Sequence, residues 1–218
     1  MRYVFDVEIE ASDDDYVKSV RAAVTQLLKD WAVPSKVGTI RELEAVTADM
    51  IVVFTDGGCD SKRDGLGAWA HMIVDMQNPD VAGIQTGVFL GTTNNRMEML
   101  AVIKALEEVE IGRPIRVVLD SEYVAKGCTE WLRNWKRRGW KTFSGTPVMN
   151  RDLWERLDSL CSIHNIQFQT VKGHSGHKEN EAVDAACTLA MNEAWNGKLK
   201  APLEIDPGDH YAKPVAAK

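Results

Sequence analysis

Hydrophobic and polar residues alternate strictly along residues 2–10, a pattern that predicts a half-buried strand. Apolar residues then recur at helical spacing from Val17 to Trp31, and Pro34 ends that pattern. The two elements predict a small α+β extension at residues 1–49, of unknown role. Their apolar faces need a cover that so short a segment cannot supply. We therefore expect the extension to mediate self-association or a contact with a protein.

From residue 50 the pattern changes to short apolar runs and amphipathic stretches separated by turn residues. Strands are predicted at residues 51–55, 68–74, 83–91, 115–119 and 167–171, and helices at 95–109, 122–127, 130–138, 151–164 and 179–195. This is an α/β pattern. Residues 198–218 carry prolines among small and charged residues and predict a disordered tail. The chain thus divides into an extension at 1–49, a domain at 50–197 and a tail at 198–218.

Composition supports a water-soluble domain with a real core. The chain has 218 residues, of which 44% are hydrophobic, and its apolar runs have strand length rather than membrane-spanning length. Its first residues lack the apolar core of a signal peptide. Its four cysteines are scattered, without a C-x-x-C pair, as suits a reducing compartment. These features predict a cytoplasmic protein without a membrane partner.

The net charge of −6 argues against a general binder of polyanions. Residues 128–142 are an exception, since they carry five basic residues against one acidic residue, together with three tryptophans. This stretch is a candidate docking surface. By contrast, residues 1–49 contain six basic and ten acidic residues and sum to −4, which opposes a second nucleic-acid site there.

Four acidic residues stand in contexts that point to one site. Asp56 and Asp120 each close a predicted apolar strand, and the carboxyl ends of parallel strands meet at one edge of a sheet, about 5 Å apart. Glu98 and Asp184 lie on predicted helices. Crowded carboxylates repel one another, and clusters made only of oxygen atoms are what Mg²⁺ binds. The usual role of any single Asp or Glu is a solvated surface, but four matching contexts favour a metal site.

These acids belong to a colinear series of motifs over about residues 50–195 that closely resembles type 1 ribonuclease H. The series comprises Phe54-Thr55-Asp56-Gly57-Gly58-Cys59, Thr92-Thr93-Asn94-Asn95-Arg96-Met97-Glu98, Leu119-Asp120-Ser121-Glu122-Tyr123-Val124, the basic stretch from Trp131 to Thr142, and Val171-Lys172-Gly173-His174-Ser175-Gly176-His177-Lys178-Glu179-Asn180-Glu181. The resemblance implies a mixed sheet of three antiparallel strands that continue into two parallel ones, with helices on both faces. Residues 1–49 do not match the hybrid-binding extension of that family and remain unassigned.

The resemblance also implies the activity. It implies an endonuclease that hydrolyses the RNA strand of RNA–DNA hybrids with two Mg²⁺ ions, for which Mn²⁺ substitutes, and that leaves 5′-phosphate and 3′-hydroxyl ends. The family's four catalytic, metal-binding carboxylates fall on Asp56, Glu98, Asp120 and Asp184. Its mobile catalytic histidine falls on His174, where a near-neutral pKa suits proton transfer. A solvated loop residue is the alternative for this histidine.

The family's substrate contacts fall on further residues of this chain. Cys59 and Asn95 match positions at the RNA 2′-hydroxyl, and Thr93 and Asn94 match a pocket for a DNA phosphate. The basic helix with Lys136, Arg137 and Arg138 matches a protruding handle that lies along the DNA strand. Among the tryptophans, Trp131 is expected to face nucleic acid. Trp135, Trp140 and Trp154 are expected to pack in the core.

Two positions depart from the family pattern. The loop at residues 60–65 is shorter than usual, and Lys62 and Arg63 in it are candidates to substitute electrostatically for a lost contact. Glu122 stands where a glutamine often contacts RNA, so its carboxylate is expected to repel the backbone. Two other functions stay open from the sequence: an integrase-like DNA nuclease of the same fold, and a hybrid-binding protein without catalysis.

Overall fold

The computed structural model describes residues 49–79, 82–173, 177–197 and 204–205, and Thr47 as a single residue. The elements in chain order are β1 Ile51–Asp60, β2 Leu66–Asp75, β3 Gly83–Leu90, α1 Asn94–Glu108, β4 Pro114–Leu119, α2 Glu122–Lys126, a π-helical turn Gly127–Trp131, α3 Leu132–Arg137, α4 Arg151–Ile163, β5 Asn165–Thr170, α5 Lys178–Trp195 and β6 Glu204–Ile205. The predicted elements from residue 50 onwards are therefore all present.

Five strands form the mixed sheet that the sequence predicts, and a short sixth strand extends it. The strand order is β5-β4-β1-β2-β3-β6. β1, β2 and β3 are antiparallel neighbours, whereas β4 is parallel to β1 and to β5. The predicted arrangement of three antiparallel strands followed by two parallel ones is confirmed. β6 pairs in parallel with Phe89 and Leu90 of β3, within the segment that the sequence predicts to be a disordered tail.

Helices cover both faces of this sheet, as predicted. Successive residues of a strand point to opposite faces. On one face, Val53 of β1 and Trp69 of β2 share a buried cluster with Met97 of α1. On the other face, Ala68 and Ala70 of β2 pack in a second cluster with residues of α5. The small alanine side chains let α5 lie close to the strands.

A bidentate ion pair ties α4 to α1. Nη1 and Nη2 of Arg96 lie 3.0 and 2.7 Å from the two carboxylate oxygens of Asp152. The Arg96 side chain is 4% exposed, whereas that of Asp152 is 48% exposed. A buried guanidinium is costly unless it is paired in good geometry, which two parallel hydrogen bonds provide. The pair therefore fixes the angle between the helices without leaving a buried charge uncompensated.

Trp154 of α4 is the centre of an aromatic cluster. Its buried ring lies edge-on to Tyr123 and to Trp135, with centroids 5.2 and 5.3 Å apart. Its indole Nε1 donates to the Tyr123 hydroxyl at 3.2 Å, so the polar atom of the ring is satisfied. Trp135 and Trp140 are half-buried against the same core. The expected core role of these three tryptophans is confirmed.

A π-helical turn joins α2 to α3, where the sequence predicts two helices with a break between them. In this turn the backbone N–H of Leu132 donates to the carbonyl of Gly127, five residues earlier. An ideal Cβ on Gly127 would lie 1.9 Å from Cη2 of Trp154. Only glycine lets the backbone pass the indole at this distance. The contact is tertiary, which is why hydrophobic periodicity does not reveal it.

Residues 1–46 lie outside the described residues, and the predicted strand and helix of the extension stay predictions. Among the residues that the structure does describe, every helix is too short or too polar to cross a membrane.

Replacing Gly127 by alanine is expected to lower the free energy of unfolding by about 1–3 kcal/mol or more, because the added methyl group overlaps the Trp154 ring. The backbone of Gly127 is right-handed helical, with φ −54 and ψ −53, so alanine meets no conformational barrier there. Urea denaturation measures the effect. Gly83→Ala is the control, since an ideal Cβ at Gly83 has nothing within 4 Å. Equal stability of the two variants would show that the Trp154 contact is not tight.

Candidate active site

Asp56 and Asp120 lie side by side where the parallel pairing of β1 and β4 ends. The last paired residues are Thr55 and Leu119, so the two aspartates follow at matching positions of adjacent strands, which are about 5 Å apart. The expectation that Asp56 closes its strand is wrong, because β1 continues to Asp60. Residues 56–60 keep their antiparallel partners on β2.

Glu98 reaches the same edge because α1 lies very close to β1. An ideal Cβ on Gly57 would lie 2.2 Å from the backbone nitrogen of Glu98, so no side chain fits between strand and helix. Thr93 caps the helix, since its side-chain oxygen accepts from the backbone N–H of Arg96 at 3.4 Å. The cap fixes where α1 begins, and Gly57 fixes how closely it approaches Asp56.

Asp184 comes from α5, on the other face of the sheet. Asp56 and Gly57 are successive residues of β1, so Asp56 points towards α5 whereas Gly57 faces α1. The Asp184 carboxylate is close enough to Asp56 to raise its pKa. Strands and helices from both faces thus bring Asp120, Asp184 and Glu98 within electrostatic range of Asp56.

The electrostatics of the cluster couple these acids. Burial, reinforced by the charges of Asp120 and Asp184, raises the pKa of Asp56 to about 6. Burial also raises the pKa of Glu98 to about 7. A hydrogen bond from Ser121 acts in the opposite direction, whereas repulsion from Asp120 and Asp56 adds to the increase. The cluster therefore carries more negative charge than its surroundings neutralise.

Sequence reasoning missed two side chains that hydrogen-bond the acids. Ser121 accepts from the backbone N–H of Val124 at 3.4 Å, as an N-cap does, and its hydroxyl also bonds Glu98. The Cys187 thiol donates to the carbonyl of Ala68 at 3.2 Å and also bonds Asp56. A serine before a helix signals a cap, but no local signal names a partner on another element.

The residues present fit a divalent cation. Carboxylate oxygens are the ligands that Mg²⁺ and Mn²⁺ prefer. Within the described ranges, no three His, Cys, Asp or Glu side chains converge closely enough to hold a metal ion as they stand. The raised pKa values of Asp56 and Glu98 nevertheless mark an excess of negative charge that such a cation would compensate.

A chain of hydrogen bonds links Cys59 to Glu98. The backbone N–H of Cys59 donates to Asn94 Oδ1 at 3.1 Å, and the Asn94 amide donates to Glu98 Oε1 at 3.3 Å. The Cys59 thiol donates to the carbonyl of Thr92 at 3.3 Å. The structure thus brings four predicted substrate-binding residues to the N-terminus of α1: Cys59, Thr93, Asn94 and Asn95.

The predicted basic surface lies on α3, and its cations are not equally available. Nζ of Lys136 lies 2.7 Å from Oδ2 of Asp158, so its charge is paired. The Arg138 guanidinium stacks over the ring of Phe143 at 5.3 Å, and that ring is 92% exposed. Arg137 is exposed at the end of the helix. Arg137 and Arg138 are therefore better placed than Lys136 to meet an anionic ligand.

Trp131 stands at the start of this surface. Its ring lies 5.9 Å from that of Tyr123 and 5.5 Å from that of Trp135, and the side chain is half-buried. One part of the indole therefore packs on the aromatic cluster and another part faces solvent. This placement is compatible with both the packing role and the expected contact with nucleic acid.

In the short loop, Arg63 is held by its own neighbours. Its Nε lies 3.2 Å from Oδ2 of Asp60, its Nη1 donates to Asn192 Oδ1 at 2.8 Å, and its guanidinium stacks over Trp195 at 5.5 Å. The loop is thereby fixed to the end of α5. Of the two cations considered as substitutes for a lost contact, exposed Lys62 is the better placed.

Glu122 is exposed and forms an ion pair with Lys126, one turn later on α2. The hydrogen bond from Lys126 lowers the pKa of Glu122. Its negative charge is therefore balanced locally, which weakens the repulsion that the sequence leads one to expect at this position.

His174 lies outside the described residues. Its neighbour Gly173 is described, and an ideal Cβ there would lie 2.9 Å from Oδ2 of Asp120. The backbone at Gly173 therefore passes directly beside one of the four acids.

Comparisons with known proteins show which family the chain resembles. The family model described as RNase H matches residues 48–192. A ribonuclease H of Thiobacillus denitrificans is 43% identical over 150 residues, which are 68% of this chain and 98% of that protein. A ribonuclease H of Methylorubrum extorquens is 42% identical over 172 residues, which are 77% of this chain and 73% of that protein.

Solved structures show the same fold. LC9-RNase H1, described as a type 1 RNase H with the type 2 active-site motif, is 27% identical with a TM-score of 0.58, over 75% of this chain and 80% of that chain. A foamy viral protease-reverse transcriptase in complex with an RNA/DNA hybrid is 16% identical with a TM-score of 0.57, over 73% of this chain and 22% of that chain. The latter likeness concerns the fold alone.

Gly173→Ala is expected to weaken the binding of Mn²⁺ by about tenfold, because its methyl group would displace the Asp120 carboxylate. Calorimetric titration of the full chain with Mn²⁺ measures this affinity. Thermal stability should change little, since the displaced atom ends a side chain that can rotate. The control is again Gly83→Ala, which should bind Mn²⁺ as the unmodified protein does. Unchanged affinity in Gly173→Ala would mean that Asp120 has room to move without loss.

Proposed function

The chain belongs to the ribonuclease H family and is an enzyme of that class, and on this premise we propose that it cleaves the RNA strand of RNA–DNA hybrids internally. The products are 5′-phosphate and 3′-hydroxyl ends. The observation that carries the proposal is the electrostatic coupling of these acids: Asp120 and Asp184 act on Asp56, Asp56 and Asp120 act on Glu98, and the pKa values of Asp56 and Glu98 are raised. Cytoplasmic location, and a partner-binding or self-associating role for residues 1–49, stay predictions.

Divalent metal ions are general cofactors of this family, and the acids supply a suitable donor set. When bound, two Mg²⁺ ions, or Mn²⁺ in their place, would activate a water molecule and stabilise the departing 3′ oxygen. Asp56, Asp120 and Asp184 would hold the ions, because the carboxylate of Asp56 interacts with those of the other two. Glu98, held by Ser121 and Asn94, would order the groups near the ribose.

His174 is proposed to move protons or to help the product leave. The support for this role is its place in the sequence, directly after Gly173, whose backbone passes beside Asp120. An imidazole changes its charge near neutral pH, so it can take and return a proton under the conditions of the reaction.

Recognition of the RNA strand is proposed to occur at the N-terminus of α1. Cys59 and Asn95 are the candidates at the 2′-hydroxyl, which distinguishes RNA from DNA in the wide minor groove of a hybrid. Asn94 connects this end of the helix to Glu98 through its amide. A contact between Cys59 and the ribose of the RNA strand would therefore act on Glu98 through the hydrogen bonds of Asn94.

The DNA strand is proposed to lie along Trp131 and the exposed cations Arg137 and Arg138, with Lys136 in a lesser role. Thr93 and Asn94 are the candidates at a phosphate of the same strand. A related fold supports a hybrid as the substrate, since the foamy viral protease-reverse transcriptase has been solved in complex with an RNA/DNA hybrid. For this chain, arginine side chains beside an indole provide the phosphate and stacking contacts that such a strand needs.

Asp120→Asn is expected to lower the rate of hybrid cleavage by about a thousandfold or more, because it removes one ligand charge while keeping the shape of the side chain. Binding of the hybrid should remain largely intact. Gel analysis of an end-labelled hybrid with Mg²⁺, with fluorescence anisotropy for binding, measures both quantities.

Duplex DNA, duplex RNA and a hybrid with EDTA are the controls for that experiment. Cleavage of the hybrid alone, and only with metal, is the expected pattern. Cleavage of duplex DNA would indicate the integrase-like alternative. Undiminished hybrid cleavage by Asp120→Asn would falsify the assignment of this site.

Replacing Arg137 and Arg138 together by alanine is expected to weaken hybrid binding and to flatten its salt dependence. Each lost phosphate contact lowers the slope of log K against log salt by about 0.9. Lys136→Ala should change the slope less, because Asp158 already pairs its charge. Arg156→Ala is the control, since this arginine pairs with Glu107 on α1. Equal slopes for all these variants would show that the basic surface faces only solvent.

A further inference from the structure

Phe143 carries the most exposed large hydrophobic side chain in the part of the chain that the structure describes, and it is 92% exposed. A ring this exposed adds almost nothing to the hydrophobic stability of the fold, which grows with the buried apolar area. Single exposed apolar side chains are common on protein surfaces, so exposure alone assigns no role to this ring. Two further features do, because the chain around Phe143 is fixed and a cation is stacked on the ring.

A short hairpin at residues 140–148, the tip hairpin, carries Phe143. The backbone N–H of Gly145 donates to the carbonyl of Thr142 at 3.1 Å, which closes a β-turn with Phe143 at its second position. Gly145 has a φ of 84°, in the left-handed region that favours glycine. The backbone N–H of Thr142 donates to the carbonyl of Thr146 at 2.8 Å, and the hydroxyls of these two threonines lie 2.7 Å apart. These bonds define the position of Phe143.

The base of the tip hairpin is anchored in the core of the domain. Val148 is buried, and its backbone N–H donates to the carbonyl of Trp140 at 3.0 Å. The half-buried Trp140 packs on the core cluster, and the Arg151 guanidinium stacks over its ring at 5.6 Å. Packing therefore holds the base while Phe143 faces solvent at the tip. An aromatic ring on so fixed a turn loses little conformational entropy when it binds a ligand.

One face of the Phe143 ring holds a cation, and the other face is open. The Arg138 guanidinium lies over the ring at 5.3 Å from its centroid, and the exposure of the side chain leaves the opposite face free for a ligand. Residues 131–151 contain six basic residues and no acidic one. Lys136 and Arg151 pair with acids of α4, but no acid of this segment opposes its other cations. A nucleotide fits both features, because its base can stack on the ring and its phosphate can meet the cation.

We propose that Phe143 is a stacking platform for an unpaired base of the DNA strand, at the point where that strand leaves the hybrid as single-stranded DNA. Bases inside a duplex stack on their neighbours, so only an unpaired or terminal base offers a face to an aromatic side chain. Arg138 would meet the adjacent phosphate, and the DNA strand is the one proposed to lie along this arginine. The inference rests on the proposed function and names a substrate class for it: hybrids that continue into single-stranded DNA.

The test measures, by fluorescence anisotropy in EDTA, the binding of the full chain to a blunt hybrid and to hybrids with a single-stranded DNA extension of about six nucleotides at either end. Phe143→Ala is expected to weaken binding of an extended hybrid by about tenfold and that of the blunt hybrid by less than about twofold. A fluorescent purine in the extension should be quenched when the unmodified chain or Phe143→Trp binds, but not when Phe143→Ala binds. The fold should tolerate both variants, because the ring is 92% exposed.

Ile111→Ala is the matched control, because Ile111 is also an exposed apolar residue, at 69%, and lies outside the basic segment. Its affinities for the blunt and extended hybrids should not change. Unchanged affinity of Phe143→Ala for the extended hybrids would overturn the proposal and would favour a protein as the ligand of this ring. A larger loss for a hybrid with a single-stranded RNA extension would also contradict it, since the platform would then serve the other strand.

Cleavage of the blunt hybrid by the unmodified chain with Mg²⁺ tests the proposed function separately. Absence of cleavage would contradict that function. Cleavage of the blunt hybrid, together with equal binding of the extended hybrids by Phe143→Ala and by the unmodified chain, would contradict the stacking role of Phe143 alone.

Discussion

The burial of acidic side chains, reinforced by their mutual repulsion, is the constraint that the fold must meet at the candidate active site. Burial and mutual charge raise the pKa of Asp56 to about 6 and that of Glu98 to about 7, so holding these acids together opposes folding until a cation compensates them. The fold supplies the restraint through backbone geometry. The pairing of Thr55 with Leu119 fixes the two aspartates, and Gly57 holds α1 against β1. The acids that the proposed function needs at this edge of the sheet therefore lower the stability of the fold when no cation is bound.

Hydrophobic periodicity was sufficient to predict the strands and helices from residue 50 onwards, because each element buries one face, whereas the arrangement of the sheet was implied by the resemblance to the ribonuclease H family. The four acids could be found because their motifs are local. Three features could not be found in this way. The extension of β1 beyond Asp56 depends on β2, the π turn depends on the Trp154 ring, and the hydrogen bond from Cys187 to Asp56 crosses from helix to strand. Each is set by a neighbour remote in sequence.

The charge distribution explains how an acidic chain can meet a polyanion. Some cations considered for contact with nucleic acid are already held by other side chains: Lys136 on α3 is paired with Asp158, and Arg63 in the loop at residues 60–65 is fixed by Asp60 and Asn192. Counting basic residues therefore overstates the attraction. A cation that remains available, Arg138, lies over the exposed ring of Phe143. The ring orients the guanidinium, so the direction in which this cation points matters as much as its charge.

The π turn has a consequence for how this chain tolerates insertions and deletions. Such a turn contains one residue more than the α-helical path between the same ends, and each residue rotates a helix by about 100°. Removing one residue between Gly127 and Trp131 would restore regular winding but turn all of α3 about its axis. Lys136 would leave Asp158, and Trp131 would leave Tyr123. The orientation of the basic surface is thus encoded in the number of residues at this turn as well as in the glycine that begins it.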